Sequence, residues 1–153
     1  MRLLICSIVC FGLAGCSSFS VDVRSISFAP AGTVKTVTLG TAKVTGNALA
    51  ESLGPDLLHY IGFSLEQRGV RLVESQETPA DLHISAELRF SKISIGLDDR
   101  YSLVIDTYIA RNKVSAARVF TVCTSDLQFS SGASLISIAE DIADEILSVT
   151  LKD

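Results

Sequence analysis

The chain is poor in the residues that most often carry chemistry, with no Trp, one Met and only two His among 153 residues. The two imidazoles, His59 and His83, lie far apart, and no His-x-x-x-His or Cys-x-x-Cys pair supplies metal-ligand spacing. A run of about eighteen consecutive apolar residues is also missing, which excludes a spanning helix, although mean hydropathy is +0.42. Basic residues are too few for a nucleic-acid partner: 13 Lys and Arg stand against 17 Asp and Glu, for a net charge of −4. Gly62-Phe63-Ser64-Leu65-Glu66 lacks the second glycine of a nucleophile elbow and falls inside a helical pattern. The stretch from Gly40 to Gly46 has the wrong spacing for a phosphate loop and reads as a loop between strand and helix. Asp98-Asp99 reads as a turn rather than as a glycosidase carboxylate pair. With no triad, metal set or acid pair, the chain reads as non-catalytic, and a hydrolase is a remote alternative.

Apolar residues make up 48% of the chain and charged residues 20%, enough for one ordinary hydrophobic core. The N-terminus carries the most specific signal. Met1-Arg2 is a short positive start, Leu3 to Leu13 is almost wholly apolar, and Leu13-Ala14-Gly15-Cys16 follows, the layout of a secretory signal. That tetrapeptide resembles the lipobox of bacterial lipoproteins. The resemblance implies a signal peptide over residues 1–15, cleavage between Gly15 and Cys16, and a diacylglycerol and an N-acyl chain on Cys16. No other cofactor and no metal is expected, since the residues offer no ligand spacing. Acyl chains contribute about 0.8 kcal/mol per buried methylene, so two or three of them hold a protein stably on a bilayer. Ser17 in the next position implies, by the same resemblance, the periplasm-facing side of the outer membrane. Loss of residues 1–15 removes Arg2 and no acidic residue, making the mature chain more acidic.

Cys6 and Cys10 would leave with the signal and Cys16 would be acylated, so Cys123 would be the one free thiol and no intramolecular disulfide could form. Its place in the apolar alternation Val119–Leu127 reads as a small buried hydrophobe.

Residues 16–33 read as the lipidated N-terminus and a tether, with a short β segment around Val21–Phe28 as an option and turn punctuation at Ala29-Pro30-Ala31-Gly32. A single domain is expected over 34–153. Val34–Leu39 is β-branched and closes at Gly40. Leu57, Leu58, Ile61 and Leu65 fall at helical spacing between Pro55, suited to a first turn, and Gly69, suited to a left-handed stop. Val70–Val73 reads as a short strand. From Asp81 to Phe90, Leu82, Ile84, Ala86, Leu88 and Phe90 alternate with polar residues, the mark of a strand with one buried and one wet face. Ile93 and Ile95 shift the parity, which predicts a bulge at Ser91 or Lys92. Tyr101–Ile109 alternates again, Arg111-Asn112-Lys113 turns the chain, and Val114 or Ala117 to Phe129 gives a last strand. Leu135, Ile138, Ile142, Ile146 and Val149 then form the stripe of a final helix whose other face holds Glu140, Asp141, Asp144 and Glu145, read as a solvated face. The expected fold is α+β, a two-layer sandwich. A mainly antiparallel sheet of four to five strands carries two helices on one face, in the order β-α-β-β-β-β-α.

The run Leu65–Val73 followed by Pro79–Leu88, a helix ending in Gly and then Ala-Asp opening a long alternating strand, is similar to small envelope lipoproteins such as the lipopolysaccharide-assembly lipoprotein LptE and the auxiliary lipoproteins of ABC-type lipid transporters. The likeness is one of layout over residues 47–151. It implies a non-catalytic protein docked on a larger assembly or transport machine, an envelope protein as partner, and no particular binding residue. The wet sheet face, with His83, Glu87, Arg89, Asp106 and Tyr108, is the candidate partner surface, the alternative being plain solvent exposure. A lipid- or amphiphile-binding module is the alternative function, for which an apolar cleft between sheet and helices would speak and a solid core would not. The oligomeric state is left open.

Overall fold

A computed structural model of the chain describes residues 19–30, 32–46, 51–74, 79–96, 98–125 and 132–151. The expected signal peptide, the Gly15–Cys16 cleavage site and Ser17 lie outside the described residues. In chain order the elements are β1 (Phe19–Ser27), β2 (Thr36–Thr45), α1 (Leu53–Gln67), β3 (Arg71–Leu72), β4 (Leu82–Ile95), β5 (Asp98–Arg111), β6 (Val114–Ser125) and α2 (Gly132–Thr150). The architecture is α+β, with one six-stranded sheet in the order β1-β6-β5-β4-β2-β3. Strands β4, β5 and β6 form an antiparallel meander and β1 adds antiparallel to β6. Strands β2 and β3 are parallel and joined through α1, and β2 also pairs parallel with β4. The sheet is therefore mixed, because a helix between paired strands carries the chain back to the end from which it started.

Both helices cover the same sheet face. Leu82, Ile84 and Leu88 of β4, Leu103, Ile105 and Ile109 of β5, and Val119 and Cys123 of β6 are fully or almost fully buried there. They meet Leu57, Ile61 and Leu65 of α1 and Ile138, Ala139, Ile142, Ala143 and Ile146 of α2 in one continuous core. Each fully buried Leu or Ile contributes about 1.5–3 kcal/mol. A Cβ on Gly54 would stand 2.8 Å from the Ala42 Cβ and 2.8 Å from the Val44 Cγ2, so glycine lets the start of α1 lie close on β2. The stop expected at Gly69 is present, with φ at +87°. Its N–H donates to Glu66 O, and the Val70 N–H to Leu65 O.

The helices are tied to one another and to the sheet edge by the acidic side of α2. Arg68 Nε donates to Asp144 Oδ1 at 2.5 Å. This hydrogen bond holds the Asp144 carboxyl below its ordinary pKa and raises that of the guanidinium. Ser25 Oγ of β1 donates to Glu145 Oε1. At the sheet's other side, Asp81 Oδ2 accepts from the Lys35 N–H at 2.8 Å, the Thr36 N–H at 2.9 Å and Thr36 Oγ1 at 3.1 Å. The Asp81 N–H in turn donates to Thr36 Oγ1 at 3.0 Å. This reciprocal clamp locks the entry of β2 to that of β4 and gives a physical reason for an acidic residue at the head of the alternating strand.

Four expectations need correction. Residues 19–27, read as tether with a β segment over Val21–Phe28 as an option, are an edge strand paired with β6 over its whole length, so the option holds and the sheet has six strands, not four to five. β-Strand order at the start of the chain is therefore β-β-α, not β-α. The stretch Gly40–Thr45, read as a loop, continues β2 through a register shift between Leu39 and Ala42. No bulge occurs at Ser91 or Lys92, because β4 and β5 pair without interruption from His83↔Ala110 to Ile95↔Asp98. Past Phe90 the parity of the apolar residues loses meaning, since Ile93 is 53% exposed. Asp98 and Asp99 accordingly open β5, and the turn lies at Gly96, with φ at +66°. The β5–β6 turn is where it was expected, with both Asn112 and Lys113 left-handed at φ +51° and +64°. The register of that pair shifts between Ile109 and Ala110. The expected continuation of β6 to Phe129 lies outside the described residues.

Candidate functional site: the open sheet face

Alternation puts the second set of side chains of every strand on the face that no helix covers. The register sets them in rows across the sheet. One row runs Ile26, Arg118, Tyr108, Ser85; the next runs Arg24, Phe120, Asp106, Glu87, Lys43; a third runs Asp22, Val122, Val104, Arg89, Thr45. All five residues expected on the wet face are there. His83 is exposed and packs its ring against Gly40, where a Cβ would stand 2.5 Å from Nε2.

Asp106 differs from that expectation in a way that matters. It is 1% exposed although no helix covers it. Arg118 donates to its Oδ1 from Nε at 2.9 Å and Nη2 at 2.6 Å, and Arg89 Nη2 donates to Oδ2 at 2.8 Å. Two guanidinium groups thus roof over one carboxylate, so Asp106 holds Arg89 and Arg118 in place from beneath. The Arg118 guanidinium also lies 5.3 Å from the centre of the Tyr108 ring, a cation–π contact. Its hydrogen bond to Asp106 holds its pKa above the ordinary arginine value. The result is a surface with a fixed, bidentate ionic centre, two half-exposed arginines and an aromatic ring 38% exposed. Aromatic and Arg side chains of this sort are enriched where proteins meet proteins.

Arg118, Phe120, Val104 and Val122 were not singled out from sequence. The alternation Ala117, Val119, Thr121, Cys123 against Arg118, Phe120, Val122, Thr124 held the signal, but both sets are rich in apolar residues. Parity alone therefore does not say which faces the helices.

At the end of the sheet near the β5–β6 turn, Thr38, Pro79, Ala80, His83, Ala110, Asn112 and Lys113 line a groove of about 610 Å³. His59 is exposed on α1 and does not line this groove. Among the described residues, no group of three or more His, Cys, Asp or Glu is close enough to hold a metal ion, and no helix is long and apolar enough to cross a membrane. Cys123 is fully buried beneath α2, and burial pushes its thiol up to about 12, which keeps it in the unreactive protonated form.

No family model matches the chain, and no curated protein matches it. Among solved structures, the chain is similar to the PelC dodecamer of Paraburkholderia phytofirmans in two crystal forms. A point variant has TM-score 0.59 and 16% identity, covering 88% of this chain and 100% of that one. The other form has TM-score 0.58 and 14% identity, with the same coverage. The hypothetical protein CT253 of Chlamydia trachomatis is similar at TM-score 0.57 and 10% identity, over 76% of this chain and 98% of that one. At these identities the likeness is one of fold.

Proposed function

We propose that this chain is a non-catalytic lipoprotein of the bacterial cell envelope, held at the outer membrane through Cys16. In this reading it acts as an accessory subunit of an assembly or lipid-transport machine by docking through its open sheet face. The observation that carries the reading is the tetrapeptide Leu13-Ala14-Gly15-Cys16 placed directly behind a positive start and an apolar stretch. The preorganised face around Asp106 supports docking, because side chains already fixed by mutual hydrogen bonds lose little freedom on binding. The lipid-binding alternative draws less support: Leu57, Ile61 and Leu65 of α1 and Ile138, Ile142 and Ile146 of α2 pack directly into the sheet's apolar face.

The test is an in-membrane crosslink and mild-detergent pull-down of the acylated protein. Cys16→Ala controls for the anchor, and Tyr108→Ala with Arg89→Ala disturbs the face. One or two assembly or transport proteins recovered with the wild type, and lost in both variants, is the expected result. A preparation carrying lipid alone would overturn docking in favour of lipid binding; recovery of a second copy of the chain alone would make the face a self-association surface.

A further inference from the structure

We infer that, in the anchored protein, the β4–β5 hairpin end of the sheet stands against the bilayer and Ile93 enters the headgroup layer. This rests on the proposed acylation of Cys16 and adds an orientation to it. Strand β1 begins at Phe19, three residues after Cys16, and is held to β6 from Phe19↔Ser125 to Ser27↔Ala117. Three residues of chain reach at most about 11 Å however they are arranged.

The strand register shows which end of the sheet that short leash holds. Phe19 aligns with Ser125, Ser125 with Tyr101, and Tyr101 with Lys92. Strands β4 and β5 then continue past β1 through Ile93↔Arg100, Ser94↔Asp99 and Ile95↔Asp98. At about 3.4 Å per residue this hairpin projects about 10 Å beyond the start of β1, the same length as the leash. Sideways, β5 is two strand spacings from β1, again about 10 Å. An anchor in the membrane at Cys16 and a hairpin tip at the same height bring the tip to the headgroup region, which is about 5–7 Å deep on each side of the hydrocarbon core.

The side chains at this end fit such an interface. Ile93 is 53% exposed and Phe19 39% exposed. Tyr101 stacks on Phe90 with ring centroids 6.0 Å apart, and the Lys92 ammonium lies 5.8 Å from the Tyr101 ring. An aromatic ring with a nearby lysine and an exposed aliphatic residue is the composition found at membrane–water boundaries. Lys92 pairs with Asp99 at 2.6 Å, so that pair adds no net charge to repel or require an anionic surface. The β5–β6 turn and the groove beside His83 lie at the sheet's far end, about 40 Å from the hairpin tip. That geometry leaves the open face standing upright in the periplasm, accessible from the side.

The experiment uses the full acylated chain in phosphatidylethanolamine–phosphatidylglycerol vesicles that contain headgroup-spin-labelled lipid. A fluorophore is attached at Ile93→Cys, Val114→Cys or Ile26→Cys, all exposed positions; Cys123 is buried and takes no label. The expected result is a blue-shifted label at position 93 quenched at least threefold more than at 114 or at 26, both of which stand about 25 Å or more above it by the strand register. Equal quenching at 93 and 114, or strongest quenching at 26 with β1's edge lying on the bilayer, overturns the orientation. The intact mass of each preparation separates the two ideas. An acylated Cys16 with an unquenched label at 93 removes only the orientation, whereas an unmodified Cys16 removes the anchor and the orientation with it.

Discussion

Replacing Asp106 by Asn tests whether the open face is held together by its ionic centre. The change keeps the shape of the side chain, removes its charge and turns one acceptor into a donor that faces a guanidinium. Three charge-assisted hydrogen bonds are lost or weakened, each ordinarily worth about 1.5–3 kcal/mol. Their sum overstates the cost, because the arginines are not buried: Arg89 and Arg118 are 55% and 40% exposed, against 1% for Asp106. Freed guanidinium groups can swing into water. Breaking a fully buried pair costs about 3–5 kcal/mol, and rehydration of the half-exposed partners brings the expectation for Asp106→Asn to about 2–3 kcal/mol. Asp106→Leu should cost less, about 1–2 kcal/mol, since it removes the buried charge without placing a donor opposite a donor. The assay is equilibrium urea unfolding followed by circular dichroism, with the slope compared to confirm an unchanged transition. A loss below about 0.5 kcal/mol for Asn, or a larger loss for Leu than for Asn, would refute the argument that the carboxylate organises this surface.

Further predictions follow from the contacts between layers and at the turns. Gly54→Ala should destabilise by about 1–2 kcal/mol in the same unfolding assay, because the Ala42 Cβ at 2.8 Å cannot rotate away. Gly62→Ala should be near neutral by comparison, since it meets only the tips of Leu39 and Leu72 and gains helix propensity. Lys113→Gly should raise stability by about 0.5–1 kcal/mol by relieving a left-handed lysine at φ +64°. Asp81 supplies a pH dependence: hydrogen bonds from the Lys35 and Thr36 backbone hold its carboxyl below the ordinary value. Its stabilisation is present above the unfolded-state value near 4 and is lost as pH falls through the lowered folded value. Asp81→Asn should therefore flatten the fall in stability between about pH 5 and pH 2, and an unchanged acid profile would contradict the clamp.

Legibility followed the strength of burial contrast. The strand at Leu82–Phe90 and the final helix could be read because a buried face and a wet face alternate there with the right period. Gly69 and Asn112-Lys113 were legible for a different reason, a local backbone requirement that needs no tertiary partner. Strand β1 was legible only as an option, because it is an edge strand whose inward set, Val21, Val23 and Ser25, is just partly buried while the other set is exposed, a weak contrast against a tether. Gly40–Thr45 reads as a loop because the register shift between Leu39 and Ala42 breaks its alternation. The parallel insertion of β2 between β3 and β4 is a tertiary choice that no local pattern records. On the candidate surface, charged and aromatic residues of β4 and β5 were found by parity. Arg118, which satisfies Oδ1 of Asp106, was missed because both alternating sets of β6 are rich in apolar residues and neither stands out as the wet one.

The short distance from Cys16 to β1 makes the anchor the pivot of the whole account. The most direct test is mass spectrometry of the mature protein isolated from its own membranes. The expected N-terminus is Cys16, carrying a diacylglyceryl group and an N-acyl chain, with Ser17 next. A chain that begins at Met1, or is cleaved elsewhere and leaves Cys16 unmodified, would contradict it.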